Sequence, residues 1–406
     1  MLPDAEHAEI FRGNAAGIPK CPREQWGMKR TLLIALILIC IGGQLMAGGL
    51  NKIKDFVIYQ DAMFYSTFPS LVVRPDGEIL CAFRRAPDRR ALWGGPGPTH
   101  TDANSYLVLV RSKDGGKSWS KNPELIFAHP LGGSQDPCMV QMKDGTIICT
   151  SYGWALLPEE KVAALKNTNS HSPYSFLGGY IVRSDDGGKS WKGPFIPPTL
   201  PGEKALDCLG HPVATFNRGA MTQGKDGKMY WAVVRADGPS SVHLITSSDR
   251  AKTWKYASPI AVDDKITFNE TSMIETKKGD LVAFMRTAGF DDHLAIARST
   301  DGGKSFKWED GKIIGHPYHA LKLPDGRVFL IYGYRHQPFG VRARILNADC
   351  TNMAEAPEFV IREAGGNGDL GYPWAALLPD GNVLVAYYFN IADGTRHIAG
   401  SVLSVD

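Results

Sequence analysis

The stretch that decides the fold is SKDGGKSW, residues 112–119. Its pattern, S-x-D-x-G-x-(S/T)-(W/F), returns at residues 184–191, 247–254 and 299–306, and in eroded form at residues 347–353. In such a stretch the Asp and Ser side chains bond the backbone of a tight turn, and the final aromatic ring packs against a neighbouring element. Repeated copies of this kind indicate a structural repeat rather than a metal or ligand loop.

A hairpin signal alternates with these stretches along the chain. Two alternating apolar strands flank a two-residue turn at Asp76-Gly77, Asp144-Gly145, Asp226-Gly227, Lys278-Gly279, Asp325-Gly326 and Asp380-Gly381. Asp-Gly supplies the positive φ angles that such a turn requires. A hairpin plus one SKDGGKSW-type stretch makes a four-stranded unit near the ~40–50 residues of a propeller blade, with long loops in some units. The sequence therefore predicts an all-β fold, a single six-bladed β-propeller over residues 48–406.

The sixth hairpin is not followed by an SKDGGKSW-type stretch. We expect residues 52–60, which precede the first hairpin, to supply the missing strand. This pairing would close the ring and leave no long exposed sheet edge.

Residues 1–47 are interpreted as an N-terminal extension followed by a signal peptide. From Met28 the chain has a basic pair, an apolar run at residues 32–41 and small residues that end at Ala47. A run of ten is too short to span a bilayer comfortably. We expect translation to start at Met28, cleavage near Ala47, and a secreted or periplasmic protein without stable membrane insertion. The alternative is a protein anchored by its uncleaved signal.

The composition excludes few function classes. Of the 406 residues, 43% are hydrophobic and 21% are charged, which is typical of a soluble globular protein. The net charge is +3, and no basic run is interleaved with aromatic residues, so no nucleic-acid partner is predicted. The sequence has no CxxC or HExxH spacing and no cofactor motif, so neither a metal nor a cofactor is expected. It does not indicate an oligomeric state.

Counting from the hairpin turns identifies the residues at one end of every blade. The first strands of the hairpins open at Thr67, Asp136, Arg218, Glu270, His316 and Tyr372. The second strands end at Arg84, Arg85, Tyr152, Arg235, Arg286, Tyr334, Arg335 and Tyr388. Arginines, carboxylates and tyrosines on one face favour a site for an anionic or polyhydroxylated ligand. For any single residue, a salt-bridged position on the rim is the alternative.

The repeated stretch resembles the Asp box of sialidases, and two further segments extend that resemblance. Residues 269–272, followed by residues 284–286, resemble the sialidase segment with a catalytic Glu and an arginine of the carboxylate-binding triad. Residues 371–373 resemble the segment with the tyrosine nucleophile. The resemblance implies that Tyr372 attacks the anomeric carbon after Glu270 takes its proton, in the Tyr-nucleophile variant of glycoside hydrolysis. Arg286 and Arg342 would bind the substrate carboxylate, with Arg335 as the alternative to Arg342.

The sequence departs from the sialidase pattern in two places. Thr67 stands where sialidases carry an arginine, and Arg84, Arg85 or Arg218 are the candidates to compensate for it. The acid/base aspartate has no clean match. Asp102 is preferred because it directly precedes the third strand of its blade, and Asp88 is the alternative. Asp136 is a further carboxylate on the same face.

The leading hypothesis is a sialidase-like exo-glycoside hydrolase that removes a terminal, acidic sugar from a glycan or glycoconjugate. A missing arginine would favour a uronic-acid or neutral-sugar glycoside over a sialoside. The alternatives are a polysaccharide lyase that uses His211, His316 or His319 with a tyrosine, and a non-catalytic carbohydrate-binding propeller. A hydrogen bond between Tyr372 and Glu270 would support the hydrolase, because it would pair a nucleophile with a base.

Overall fold

Six antiparallel sheets form the blades of a β-propeller, as the hairpin count predicts. The computed structural model describes residues 49–88, 90, 100–165, 170–171, 173–391 and 395–406. The proposed signal peptide lies outside these residues. Within these residues the helix with assigned bounds is α1 (Glu159–Ala164). No helix in this part of the chain is long and apolar enough to cross a membrane.

The blades follow one another along the chain. Blade 1 comprises β2 (Phe64–Val73), β3 (Ile79–Pro87), β4 (Tyr106–Ser112) and β5 (Glu124–Phe127). Blade 2 comprises β6 (Gly133–Ser134), β7 (Cys138–Gln141), β8 (Ile147–Leu156), β9 (Ser170–His171), β10 (Tyr174–Ser184) and β11 (Lys192–Phe195). Blade 3 comprises β12 (Thr222–Gln223), β13 (Met229–Arg235), β14 (Ser241–Ser247) and β15 (Lys255–Ala261).

The second half of the ring repeats this plan. Blade 4 comprises β16 (Thr267–Glu275), β17 (Leu281–Ala288), β18 (His293–Ser299) and β19 (Lys307–Ile314). Blade 5 comprises β20 (Tyr318–Lys322), β21 (Val328–Tyr334), β22 (Gly340–Leu346) and β23 (Glu358–Arg362). Blade 6 comprises β24 (Gly371–Leu377), β25 (Val383–Phe389), β26 (His397–Val405) and β1 (Leu50–Tyr59).

The ring closes through the two ends of the described chain. β1 runs antiparallel to β26, with Leu50 opposite Val405 and Tyr59 opposite Ile398. The predicted closing strand is therefore confirmed.

The SKDGGKSW-type turns have the hydrogen bonds expected of them. In the first copy Asp114 Oδ1 accepts the backbone N–H groups of Lys117 (3.0 Å) and Ser118 (2.9 Å), and Ser112 Oγ accepts that of Gly116 (2.9 Å). The Ser118 hydroxyl also donates to Asp114, and these donors hold the pKa of Asp114 well below its usual range. In the eroded copy Asn347 stands at the position of the serine and accepts the N–H of Thr351, four residues on, as Ser112 accepts that of Gly116.

The aromatic residue that ends each turn packs between two blades. Trp119 lies in the apolar cluster between blades 6 and 1, Trp191 in the cluster between blades 1 and 2, and Trp254 in the cluster between blades 2 and 3. Phe306 has the same place between blades 3 and 4. Two further clusters fill the interfaces of blades 4 and 5 and of blades 5 and 6. The core is thus divided among six interfaces, each with its own apolar side chains.

We predict that Gly303→Ala lowers the thermal midpoint more than Gly302→Ala. Both glycines have positive φ, 87° and 75°, where alanine costs about 1 kcal/mol. A Cβ atom on Gly303 would lie 2.5 Å from Leu244 Cδ2, whereas one on Gly302 would meet nothing within 4 Å. Overpacking at the blade interface should add about 1–3 kcal/mol. Thermal unfolding followed by circular dichroism measures the difference, and equal losses would contradict this interpretation of the interface.

Candidate active site

One residue of each blade lies where the innermost strand begins or is interrupted. These residues are Phe68, Asp136, Arg218, Glu270, His316 and Tyr372. In four blades the next residue is proline (Pro69, Pro137, Pro317 and Pro373), which cannot donate a hydrogen bond to the neighbouring strand. Blades 1, 4 and 6 have a register shift at this point, and in blade 2 the strand is split into β6 and β7. Such bulges redirect side chains and are frequent beside active sites.

Two of these six residues, Tyr372 and Glu270, contact each other and Arg286 of β17. The Tyr372 hydroxyl donates to Glu270 Oε1 at 2.5 Å, and Arg286 Nη1 lies 2.8 Å from Glu270 Oε2 and 3.1 Å from the Tyr372 oxygen. Tyr372 is 2% exposed, and its φ of 48° is unusual for a bulky residue. The structure therefore brings together the predicted nucleophile, its base and one predicted arginine.

The environment assigns opposite protonation states to the phenol and the carboxyl. Burial and the charge of Glu270 raise the pKa of Tyr372 well above its usual range. Burial alone would raise the pKa of Glu270 as well, but Arg286 and the hydrogen bond from Tyr372 outweigh it and lower that pKa. Glu270 is thus an ionised acceptor for the proton of a neutral Tyr372.

Two more arginines flank the Tyr372 ring. Arg218 is 2% exposed, donates to the Tyr372 carbonyl at 3.0 Å, and its guanidinium lies 5.3 Å from the ring centre. The Arg335 guanidinium lies 5.0 Å from the same ring and donates to the Tyr388 hydroxyl at 2.7 Å. Arg335 and Arg286 are partly exposed, so these two remain accessible to a ligand.

Three predicted substrate-binding arginines have partners elsewhere. Arg342 lies in β22, donates to Glu363 at 2.7 Å and covers the ring of Tyr334, which is partly buried. Arg342 is thus engaged on β22, whereas Arg335, the alternative to it, is the one of the two whose guanidinium flanks the Tyr372 ring.

Arg85 and Arg235 are the other two. Arg85 donates to Asp61 and to the Tyr106 hydroxyl, both at 2.8 Å, and Arg235 donates to the carbonyl of Pro201. The structure thus places both away from Tyr372. Successive side chains of a strand face opposite sides, so Arg84, not Arg85, points inward; it is fully buried over the rings of Tyr65 and Phe68.

The three candidate carboxylates differ in their surroundings. Asp88 accepts two hydrogen bonds from Arg90, at 3.1 and 2.7 Å, and Asp102 accepts the N–H of Asn104 at 2.8 Å. Asp136 is 1% exposed and accepts the Tyr152 hydroxyl at 3.1 Å, and no described residue donates a hydrogen bond to its Oδ1. Burial and the charge of Glu270 raise the pKa of Asp136 to about 7. Of the three, Asp136 is the one whose charge acts on Tyr372 and Glu270.

The histidines proposed for lyase chemistry do not pair with Tyr372. His316 is 8% exposed, and burial together with Arg286 and Arg335 lowers its pKa to about 3, so it is neutral. His319 stacks on Trp374 with ring centres 4.4 Å apart, and its Nδ1 accepts the N–H of Ala375. His211 lies beside Asp207 on the surface.

The sequence interpretation missed a buried polar network next to the site. Asp369 accepts the hydroxyls of Tyr65 and Tyr388, both at 2.8 Å, and Arg396 Nε at 3.0 Å. His100 Nδ1 lies 3.5 Å from Asp369 Oδ1. Burial would raise the pKa of Asp369, but His100 and Arg396 lower it well below its usual range. The sequence signal that could have pointed to this network is the position of Asp369, three residues before Tyr372.

A cavity of about 180 Å³ opens beside Glu270. Its walls are Tyr152, Trp154, Phe176, Phe216, Arg218, Val234, Ser240, Asn269 and Glu270. An aromatic wall with a few polar groups is typical of a small-molecule site. In the described part of the chain, no group of three or more His, Cys, Asp or Glu side chains is arranged to hold a metal ion.

The profile of the BNR repeat-like domain matches residues 156–385, which is more than half of the chain. The chain belongs to the BNR repeat-like family. A protein of unknown function from Dyadobacter fermentans DSM 18053 is 54% identical, with a TM-score of 0.86, over 88% of this chain and 100% of its own. No curated protein sequence matches significantly.

Solved sialidases share the fold of this BNR-repeat propeller. The Hadza microbial sialidase Hz136 is 17% identical with a TM-score of 0.63, over 86% of this chain and 68% of its own. The NanB sialidase of Streptococcus pneumoniae is 14% identical with a TM-score of 0.59, over 86% and 70%. At these identities the likeness establishes the fold alone.

We predict that Asp136→Asn raises the thermal midpoint relative to wild type more at pH 8 than at pH 5. In the folded protein the pKa of Asp136 is about 7, whereas the pKa of an aspartate in the unfolded chain is about 4. Wild-type stability therefore falls as the pH rises between these values, and an asparagine does not incur this loss. Thermal scans at both pH values measure it, with the exposed Asp264→Asn as control. A difference that does not change with pH would show that Asp136 is already ionised at pH 5.

Proposed function

We propose that this chain is an exo-glycoside hydrolase that removes a terminal acidic sugar from a glycan or glycoconjugate. The observation that carries the proposal is the 2.5 Å hydrogen bond between Tyr372 and Glu270. The two residues come from blades 6 and 4, and the packing of the propeller does not require them to meet. A weakly acidic hydroxyl with an ionised carboxylate is the arrangement of a nucleophile and its base.

In the proposed reaction Glu270 takes the Tyr372 proton as the phenol oxygen attacks the anomeric carbon. Arg286 contacts both partners, so it stabilises the phenolate and keeps the carboxylate oriented. A neutral phenol also suits an acidic sugar, because an ionised nucleophile would repel the substrate carboxylate.

Arg286 and Arg335 supply the proposed contact with the substrate carboxylate. Both are partly exposed beside Tyr372, and a guanidinium binds a carboxylate through two parallel hydrogen bonds. Arg84 is fully buried and Arg218 is engaged by backbone carbonyls, so neither presents its charge as the arginine missing at Thr67 would. With only these two arginines to bind a carboxylate, both uronides and sialosides should be tested as substrates.

The function of related proteins and the start of the chain add to the proposal. Two solved proteins with the same fold, Hz136 and NanB, are sialidases, and we expect a glycan substrate for this chain as well. Secretion, through the signal peptide at residues 28–47, would bring the enzyme to such glycans.

We predict that Tyr372→Phe reduces kcat/KM by at least about 10³-fold, because it removes the attacking oxygen and leaves the ring in place. The measurement is hydrolysis of 4-methylumbelliferyl sialosides, uronides and neutral glycosides by wild type and variant. Tyr256→Phe, on the exposed part of blade 3, is the matched control and should leave the rate unchanged. Wild-type turnover that survives Tyr372→Phe would exclude this nucleophile, and no turnover on any substrate would favour a carbohydrate-binding propeller.

A further inference from the structure

His100 lies at the open side of the Tyr372 group. Its ring centre is 6.1 Å from that of Tyr372 and 4.8 Å from that of Phe68, and its side chain is 46% exposed. His100 is therefore a neighbour of the proposed nucleophile, and the exposed part of its ring is open to a ligand.

Asp369 fixes the ring of His100. Its Oδ1 lies 3.5 Å from His100 Nδ1, and its own position is set by the hydroxyls of Tyr65 and Tyr388 and by Arg396. The His100 carbonyl accepts the Gln135 side-chain amide at 2.6 Å, which holds the backbone as well. A carboxylate at Nδ1 places the proton there and leaves Nε2 to exchange protons with a ligand.

The proposed reaction requires a proton donor on the side where the leaving group departs. In an exo-acting enzyme that side faces solvent, whereas Asp136 is 1% exposed and accepts the Tyr152 hydroxyl. Asp88 is 3% exposed and accepts hydrogen bonds from Arg90 at both of its oxygens, so it is less accessible than His100. Asp102 is 3% exposed, so it too is less accessible than His100.

We infer that His100 is the general acid/base of this site and that Asp369 positions it; the inference rests on the proposed function. In the first step the glycosidic C–O bond breaks as the Tyr372 oxygen bonds to the anomeric carbon. His100 enters this step as the imidazolium, with one proton on Nδ1 beside Asp369 and one on Nε2. Burial lowers the pKa of His100 although Asp369 opposes this effect, so the step requires acidic pH. The Tyr372 proton goes to Glu270, and the His100 Nε2 proton goes to the departing oxygen. In the second step His100 takes a proton from water, the water oxygen replaces Tyr372, and Glu270 returns the proton to the phenol.

The test compares two glycosides of the sugar that wild type hydrolyses, one with a 4-methylumbelliferyl and one with a methyl leaving group. His100→Ala should lose about 100-fold or more in kcat/KM on the methyl glycoside, which needs protonation, and less than about tenfold on the other. Added azide should accelerate the variant and yield a glycosyl azide, because azide attacks the glycosyl-enzyme without a base. His336→Ala is the control, since His336 pairs with Asp292 at 3.1 Å and is 47% exposed.

Each outcome is decisive. Equal losses of His100→Ala on both glycosides, or no loss, would overturn the role of His100 while Tyr372→Phe still supports the hydrolase. Dependence on the leaving group in Asp102→Asn or Asp136→Asn instead would assign the role to that carboxylate. A wild type without turnover on any glycoside would overturn the proposed function, and the inference with it. Circular dichroism of every variant excludes misfolding as the cause of a loss.

Discussion

The pairing of β1 with β26 is the constraint on which the rest of the structure depends. Blade 6 takes its outermost strand from the residues that lead directly into blade 1, so this pairing ties the last blade to the first. Closure also sets the site, because Tyr372 of blade 6 meets Glu270 of blade 4 and Phe68 of blade 1 only in a complete ring. The contact between β1 and β26 and the contacts of the site therefore depend on the same ring, although most of the chain separates the two strands.

Local chemistry explains how much the sequence could predict. Asp-Gly turns and SKDGGKSW-type stretches have one low-energy conformation each, so they revealed blade number, strand order and the interblade aromatics. Counting from these turns found Tyr372, Glu270, Arg286, Arg218 and Asp136. Counting residues from the turns was not accurate enough where a shift of one position changes the side of the strand that a side chain faces, as with Arg84 and Arg85. It also failed for the Asp369 network, since Tyr65 and Asp369 are 304 positions apart and nothing local records their contact.

The interrupted inner strands explain why a structural repeat can hold a site. A regular strand gives its backbone groups to the sheet and its side chains to the interfaces between blades. Proline or a bulge at the same point frees one residue in blades 1, 2, 4, 5 and 6 from that arrangement. Tyr372 and Phe68 adopt positive φ there, a cost that blade packing can tolerate because it is distributed over six interfaces.

The residues at the interrupted inner strands also explain why the positive charge of the site lies mainly on one side. Blade 1 contributes Phe68, whose ring contacts Tyr372, Tyr388 and His100, and the Arg84 guanidinium on that side is fully buried. Blades 4 and 5 contribute Arg286 and Arg335, the two partly exposed arginines beside Tyr372. An anionic group would therefore bind toward blades 4 and 5, and the leaving group would turn toward blade 1. His100 stands on that second side, so the distribution of charge and the position of the proton donor require the same orientation of the substrate.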